Sequence, residues 1–100
     1  MSMFDHTVTV TGKYAFSFTT FIWDHEWDGN DYAYFHDVNE EQGYKAYQIL
    51  EQELGVSGKS MEELFRLKYG EKLTEESCGE EVYDFCREHD IQYDFQHLQI

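Results

Sequence analysis

Apolar and polar residues alternate through the first third of this chain, and a period of two commits that stretch to extended strands rather than to a helix. Phe4, His6, Val8 and Val10 alternate with Asp5, Thr7, Thr9 and Thr11, so a first strand is expected over residues 3–10. Gly12-Lys13 marks a turn. A three-residue loop there sets Val10 opposite Tyr14 and Val8 opposite Phe16, with the apolar residues of both strands on one face, whereas a two-residue loop mismatches them. In the second strand Tyr14, Phe16 and Phe18 share one phase while Phe21, Trp23 and Trp27 share the other. The change at Thr19-Thr20 predicts a β-bulge. Asp28-Gly29 is the preferred pair for a two-residue type I′ turn, and Tyr32, Tyr34 and Phe35 give strand character to the segment from Asn30 to Asp37.

The period then changes to helical. Asn39 is placed as an N-cap with Gln42 three residues later, and Tyr47, Leu50 and Leu54 recur at helical spacing up to a stop at Gly55. Ser60 with Glu63 forms a capping-box pattern ahead of Leu64, Phe65 and Leu67, closed by Gly70. Ser77 with Glu80 repeats it ahead of Val82, Phe85, Cys86 and His89, and the weak stop signals between Glu71 and Glu76 leave open one broken helix in place of two. Ile91, Tyr93, Phe95 and His97 return to strand alternation. The order β-β-β-α-α-α-β predicts an α+β fold: an antiparallel sheet of about four strands with helices packed on one face.

At 100 residues the chain is expected to form a single acidic domain over 1–100. Apolar residues make up 41% and aromatics 18%, too much for the acidic disordered class, which lacks the means to build a core. No apolar run is long enough to span a membrane and no basic-then-apolar leader opens the chain, so a cytoplasmic location is expected. Cys78 and Cys86 lie eight apart on the expected third helix, about 12 Å between Cα atoms and beyond the roughly 7 Å reach of a disulfide, and are expected to be free thiols.

The formal charge is -14, from 21 acids against 7 lysines and arginines. Such a surface repels nucleic acid and anionic membrane and attracts basic partners. Asp24, Glu26 and Asp28 at positions 1, 3 and 5, with Gly29 at 6 and Asn30 after it, resemble the first half of a calcium loop, but Asp31 and Phe35 stand where an apolar residue and a bidentate Glu belong. Cys86-x-x-His89 has the spacing of a zinc-ligand pair on one helix face, with no second pair to complete it. The paired acids Glu40-Glu41, Glu62-Glu63, Glu75-Glu76 and Glu80-Glu81 suit solvated first helical turns better than general acid–base work, which needs a pocket that separates two pKa values. No catalytic residue, metal ligand or cofactor is assigned.

A turn at Asp28-Gly29 pairs Glu26 with Asp31 and Asp24 with Ala33, which gathers the hairpin acids on one side. An acidic ridge of Asp24, Glu26, Asp28 and Asp31, flanked by Trp27 and joined by Asp37, Glu40 and Glu41, is therefore the expected partner-binding surface; a second acidic cluster runs from Glu71 to Glu81. Clustering is required. Spread over a folded surface of about 6,000 Å² the net charge averages roughly one per 430 Å², against about one per 110 Å² on duplex DNA.

In size, acidity, aromatic content and lack of a catalytic motif, the chain resembles small phage-encoded anti-defence proteins, the anti-CRISPR and antirestriction inhibitors, several of which imitate DNA. The resemblance implies a stoichiometric inhibitor in the host bacterial cytoplasm. It would bind the basic nucleic-acid-binding surface of a defence nuclease complex, make no direct contact with nucleic acid, and act as a monomer or as a homodimer paired through an edge strand. An immunity protein or antitoxin for a nuclease toxin would present the same surface; a small enzyme, a metal-binding module and a halophile's hydrated surface are the remaining alternatives.

Overall fold

The computed structural model describes residues 7–24 and 30–99. In chain order they form β1 (Val8–Val10), β2 (Phe16–Asp24), β3 (Asn30–Val38), α1 (Glu40–Leu54), α2 (Met61–Tyr69), a 3-10 turn (Gly70–Thr74), α3 (Glu76–Glu88) and β4 (Asp94–Gln99). The strands make one antiparallel sheet in the order β1-β2-β3-β4. This is the expected α+β architecture: three strands run as a meander, the chain leaves for three helices, and β4 returns to pair with β3. One face carries the core. Phe16, Phe18 and Val38 are buried there against Leu50, Leu64, Phe65, Val82, Phe85 and Cys86 of the helices, and the Phe16 and Phe65 rings meet edge to face with centroids 4.9 Å apart. Each such side chain contributes about 2 kcal/mol by leaving water.

Within this frame both hairpin registers differ from those expected. Val10 pairs with Phe16 and Val8 with Phe18, so the first loop is two residues longer than the alternation suggested. Parity is preserved and the same side chains face the core. The longer loop is closed by Thr11 N–H donating to the Ala15 carbonyl at 2.9 Å and is held from outside by the Glu40 carboxylate, which accepts from Lys13 N–H at 2.8 Å and Tyr14 N–H at 2.9 Å. The first strand begins at Val8, with positions 3–6 outside the described residues. The expected bulge at Thr19-Thr20 does not form, because β2 pairs with β3 in one unbroken ladder from Phe16↔Val38 to Asp24↔Asn30. The aromatic phase change instead moves Phe21 and Trp23 to positions on the opposite face.

The second hairpin is shifted further. Asp24 pairs with Asn30, Trp23 with Asp31 and Phe21 with Ala33, so neither Glu26–Asp31 nor Asp24–Ala33 is a pair. Five residues separate Asp24 from Asn30, too many for a two-residue turn; the Asp28-Gly29 pair itself lies outside the described residues.

Local signals set two helix starts as expected. Asn39 Oδ1 accepts from Gln42 N–H at 2.9 Å, and Gly55 ends α1 in the left-handed region at φ 68°. Ser60 and Glu63 form a reciprocal capping box on α2. Asn39→Ala should lower stability by about 1 kcal/mol in a denaturant melt, with no change in the position of the helix. The third start is different: α3 begins at Glu76 after Glu75, which makes no side-chain cap, so Ser77 lies inside the first turn instead of capping it. The 3-10 turn already delivers the chain in register, with Glu75 N–H bonded to the Lys72 carbonyl and Cys78 N–H to the Glu75 carbonyl. That turn also separates α2 from α3 as two helices. At the far end, Ile91 N–H closes α3 on the Cys86 carbonyl at 2.8 Å, and Ile91 is buried. Ile91 and Tyr93 thus precede β4.

Cys78 and Cys86 are free and fully buried, and burial raises their thiols to about 11 and about 12. Among the described residues no helix is long and apolar enough to cross a membrane.

Candidate functional site

The ladder pairs Asp24 with Asn30 and Asp31 with Trp23, in place of the pairs from which the ridge was read. Glu26, Trp27 and Asp28, and with them most of the calcium-like pattern, lie outside the described residues. Glu40 is occupied as the brace of the first loop. Glu41 and Asp37 are exposed. Asp37 stands directly opposite Asp94, also exposed, a like-charge pair that costs several tenths of a kcal/mol. As for Cys86 and His89, the thiol is sealed in the core and the imidazole packs 4.7 Å from the Phe85 ring. Among the described residues no group of three His, Cys, Asp or Glu side chains gathers in a metal-holding arrangement.

Positive charge is distributed unevenly. Lys59 pairs with Glu63 at 3.9 Å, Arg66 with Glu62 at 3.1 Å, Lys72 with Glu81 at 3.3 Å, and Lys68 with Glu53. These pairs lie along α2 and its junctions with α1 and α3. Of the other cations, Lys45 Nζ donates to the Asp90 carbonyl at 2.9 Å, and Lys13 and Arg87 sit over the Tyr14 and Tyr83 rings. Along α3, three acids are left without a cation partner among the described residues. Glu80, Asp84 and Glu88 follow one another at i, i+4 and i+8, all exposed and none in an ion pair among the described residues. At 1.5 Å per residue the stripe is about 12 Å long.

Beside Glu80, between α3 and the end of the sheet, lies a cavity of about 310 Å³. Thr20 and His36 line its buried end, Tyr83 and Tyr93 its half-buried walls, and Phe95 and Glu80 its exposed rim, with Tyr34 also in the lining. The strand register builds this grouping: Thr20 pairs with Tyr34 and His36 with Phe95, so β2, β3 and β4 each contribute to the same face. His36 is 5% exposed and stacks on Phe18 with centroids 4.5 Å apart and planes 13° from parallel. Tyr93 meets it edge-on at 4.8 Å, and Tyr83 lies 5.5 Å away. Burial holds the imidazole uncharged by pulling its pKa down to about 4. Its Nε2 is 2.9 Å from Thr20 Oγ1, while its Nδ1 is buried with no hydrogen-bond partner. Burial, with a hydrogen bond to Tyr83 second, raises the Tyr93 hydroxyl to about 12. Phe95 is 64% exposed.

Three clefts are larger, about 680 Å³ between β1 and α2, about 530 Å³ between α1 and α3 and about 320 Å³ beside the first loop, but side chains engaged in the Arg66–Glu62, Lys68–Glu53 and Lys59–Glu63 ion pairs line them. The aromatic cavity differs in its lining of Tyr34, His36, Tyr83, Tyr93 and Phe95. Sequence analysis overlooked both parts of this site. The Glu80, Asp84 and Glu88 spacing was available as a helical stripe, whereas the grouping around His36 depends on pairings between strands some sixty residues apart, as in His36↔Phe95. A scan against protein-family models, a search of curated proteins and a search of solved structures return no match to this chain.

Proposed function

We propose that the protein is a stoichiometric inhibitor that docks on the basic nucleic-acid-binding surface of a bacterial defence nuclease complex and competes there with DNA or guide RNA. The observation that carries the proposal is the separation of charge: four of the cations are neutralised along α2 and its junctions, while Glu80, Asp84 and Glu88 stand unpaired among the described residues on α3. Three carboxylates along about 12 Å of helix present a line of negative charge to a groove that normally grips phosphates. Charge of this kind speeds and orients encounter, and exposed aromatics such as Phe95 supply contacts that leave water on binding. An interface of this type weakens as salt is added.

Reversing Asp84 and Glu88 to lysine should weaken binding to the target complex by about tenfold or more, flatten its salt dependence and restore DNA binding by the target. The assay is competition between the protein and duplex DNA for purified CRISPR effector and restriction complexes at two salt concentrations. Binding that withstands this double reversal and does not exclude DNA removes α3 as the interface.

A further inference from the structure

We propose that the aromatic cavity beside α3 is a receptor for an arginine side chain of the cationic partner, with the guanidinium stacked against Tyr83, Tyr93 and Phe95 and paired with Glu80. The inference deepens the proposed function and rests on it for the identity of the partner, but not for the chemistry of the pocket.

Three features select a guanidinium. The walls are π-faces set at an angle, with the Tyr83 and Tyr93 ring planes 75° apart and their centroids at 6.0 Å, so a flat cation can lie on one ring and meet the edge of the other. One of these rings already holds such a group: the Arg87 guanidinium sits 5.7 Å from the Tyr83 centroid. A carboxylate stands at the mouth, since Glu80 lines the cavity and makes no ion pair among the described residues. At the buried end His36 closes the cavity, its Nε2 2.9 Å from Thr20 Oγ1. Angled π-faces and a carboxylate at the mouth match the planar five-donor fork of arginine. They match a lysine ammonium less well, because it is compact and strongly hydrated and gains little from flat walls. The occupant brings positive charge to a chain of net charge -14, and it would cover Phe95, the most exposed large apolar side chain among the described residues.

The test needs no macromolecular partner. N-acetyl-arginine methylamide, its lysine counterpart and the uncharged citrulline isostere are titrated into the intact protein while NMR follows the ring protons of the tyrosines and phenylalanines. The arginine probe should shift the Tyr83, Tyr93 and Phe95 resonances saturably in the millimolar range, the lysine probe should bind several-fold more weakly, and citrulline should produce no saturable shift. Glu80→Gln and Phe95→Ala, both at exposed positions, should each weaken the arginine probe by about tenfold or less while the remaining amide resonances stay in place. Absence of a saturable shift with arginine, equal binding of citrulline, or unchanged affinity in Glu80→Gln overturns the inference. Because Asp84 and Glu88 are untouched here, failure of the pocket and failure of the docking surface register in different experiments.

Discussion

Replacing Gly79 with alanine will destabilise the protein by about 3 kcal/mol, although alanine is the better helix former by about 1 kcal/mol. Gly79 lies in the first turns of α3, where the helix backbone rests directly on β2. A Cβ placed there falls inside van der Waals contact of the Thr19 carbonyl oxygen, 2.8 Å from the Thr19 carbonyl carbon and 3.2 Å from Thr7 Cγ2. The obstruction is backbone, not the free end of a flexible chain. β2 cannot give way easily, because it is hydrogen-bonded to β1 on one side and β3 on the other. The strain therefore passes into the core that α3 forms through Val82, Phe85 and Cys86. For a domain of this size the melting temperature should fall by roughly 15 °C. Ser77→Ala, an exposed change two residues earlier on the same helix, should be close to neutral and serves as the control. Equal melting of the two variants would show that α3 does not approach β2 this closely.

Such contacts explain where the sequence could be read and where it could not. Asn39 with Gln42, and Ser60 with Glu63, announce helix starts because a cap is a contact within four residues, complete in the local sequence. Alternation in β2 was equally plain, but it reports burial and not pairing, so an aromatic phase change can mean a bulge or a strand with apolar groups on both faces. The unbroken ladder from Phe16 to Asp24 is the second case. Loop length escaped for a different reason. What fixes the loop after β1 is the Glu40 carboxylate on the Lys13 and Tyr14 amides, a contact spanning 27 and 26 residues, and no turn preference near Gly12 records it. The acidic ridge depended on the register of the second hairpin. The pairing expected from an Asp28-Gly29 turn and the pairing observed differ by three in the sum of paired positions, a difference that no local turn preference reports. The Glu80, Asp84 and Glu88 stripe on α3 was legible, although passed over, because helical spacing needs no partner strand to define it.

Acid will weaken the fold through His36 by as much as about 3 kcal/mol as the pH falls from 6.5 to 4. Burial beside Phe18 lowers this imidazole from its ordinary 6.5 to about 4, so over that interval the unfolded chain takes up a proton that the folded chain refuses. Stability from this group is therefore complete above pH 6.5, declines through the window, and is lost by about pH 4. Many carboxylates titrate over the lower part of the same range, so the informative quantity is a difference between proteins. Denaturant unfolding of the natural chain and of His36→Phe, measured at matched pH values, should give stabilities that run parallel above pH 6.5, with the natural chain losing up to about 3 kcal/mol more than the variant between pH 6.5 and 4, since phenylalanine carries no proton to exclude. The variant's own stability at pH 7 does not matter, because only the difference in slope reports the imidazole. The His36 ring-proton shift should titrate with a midpoint near 4 in the folded protein. A midpoint near 6.5, or equal slopes for the two proteins, would mean that water reaches the ring freely and that packing against Phe18 does not seal it.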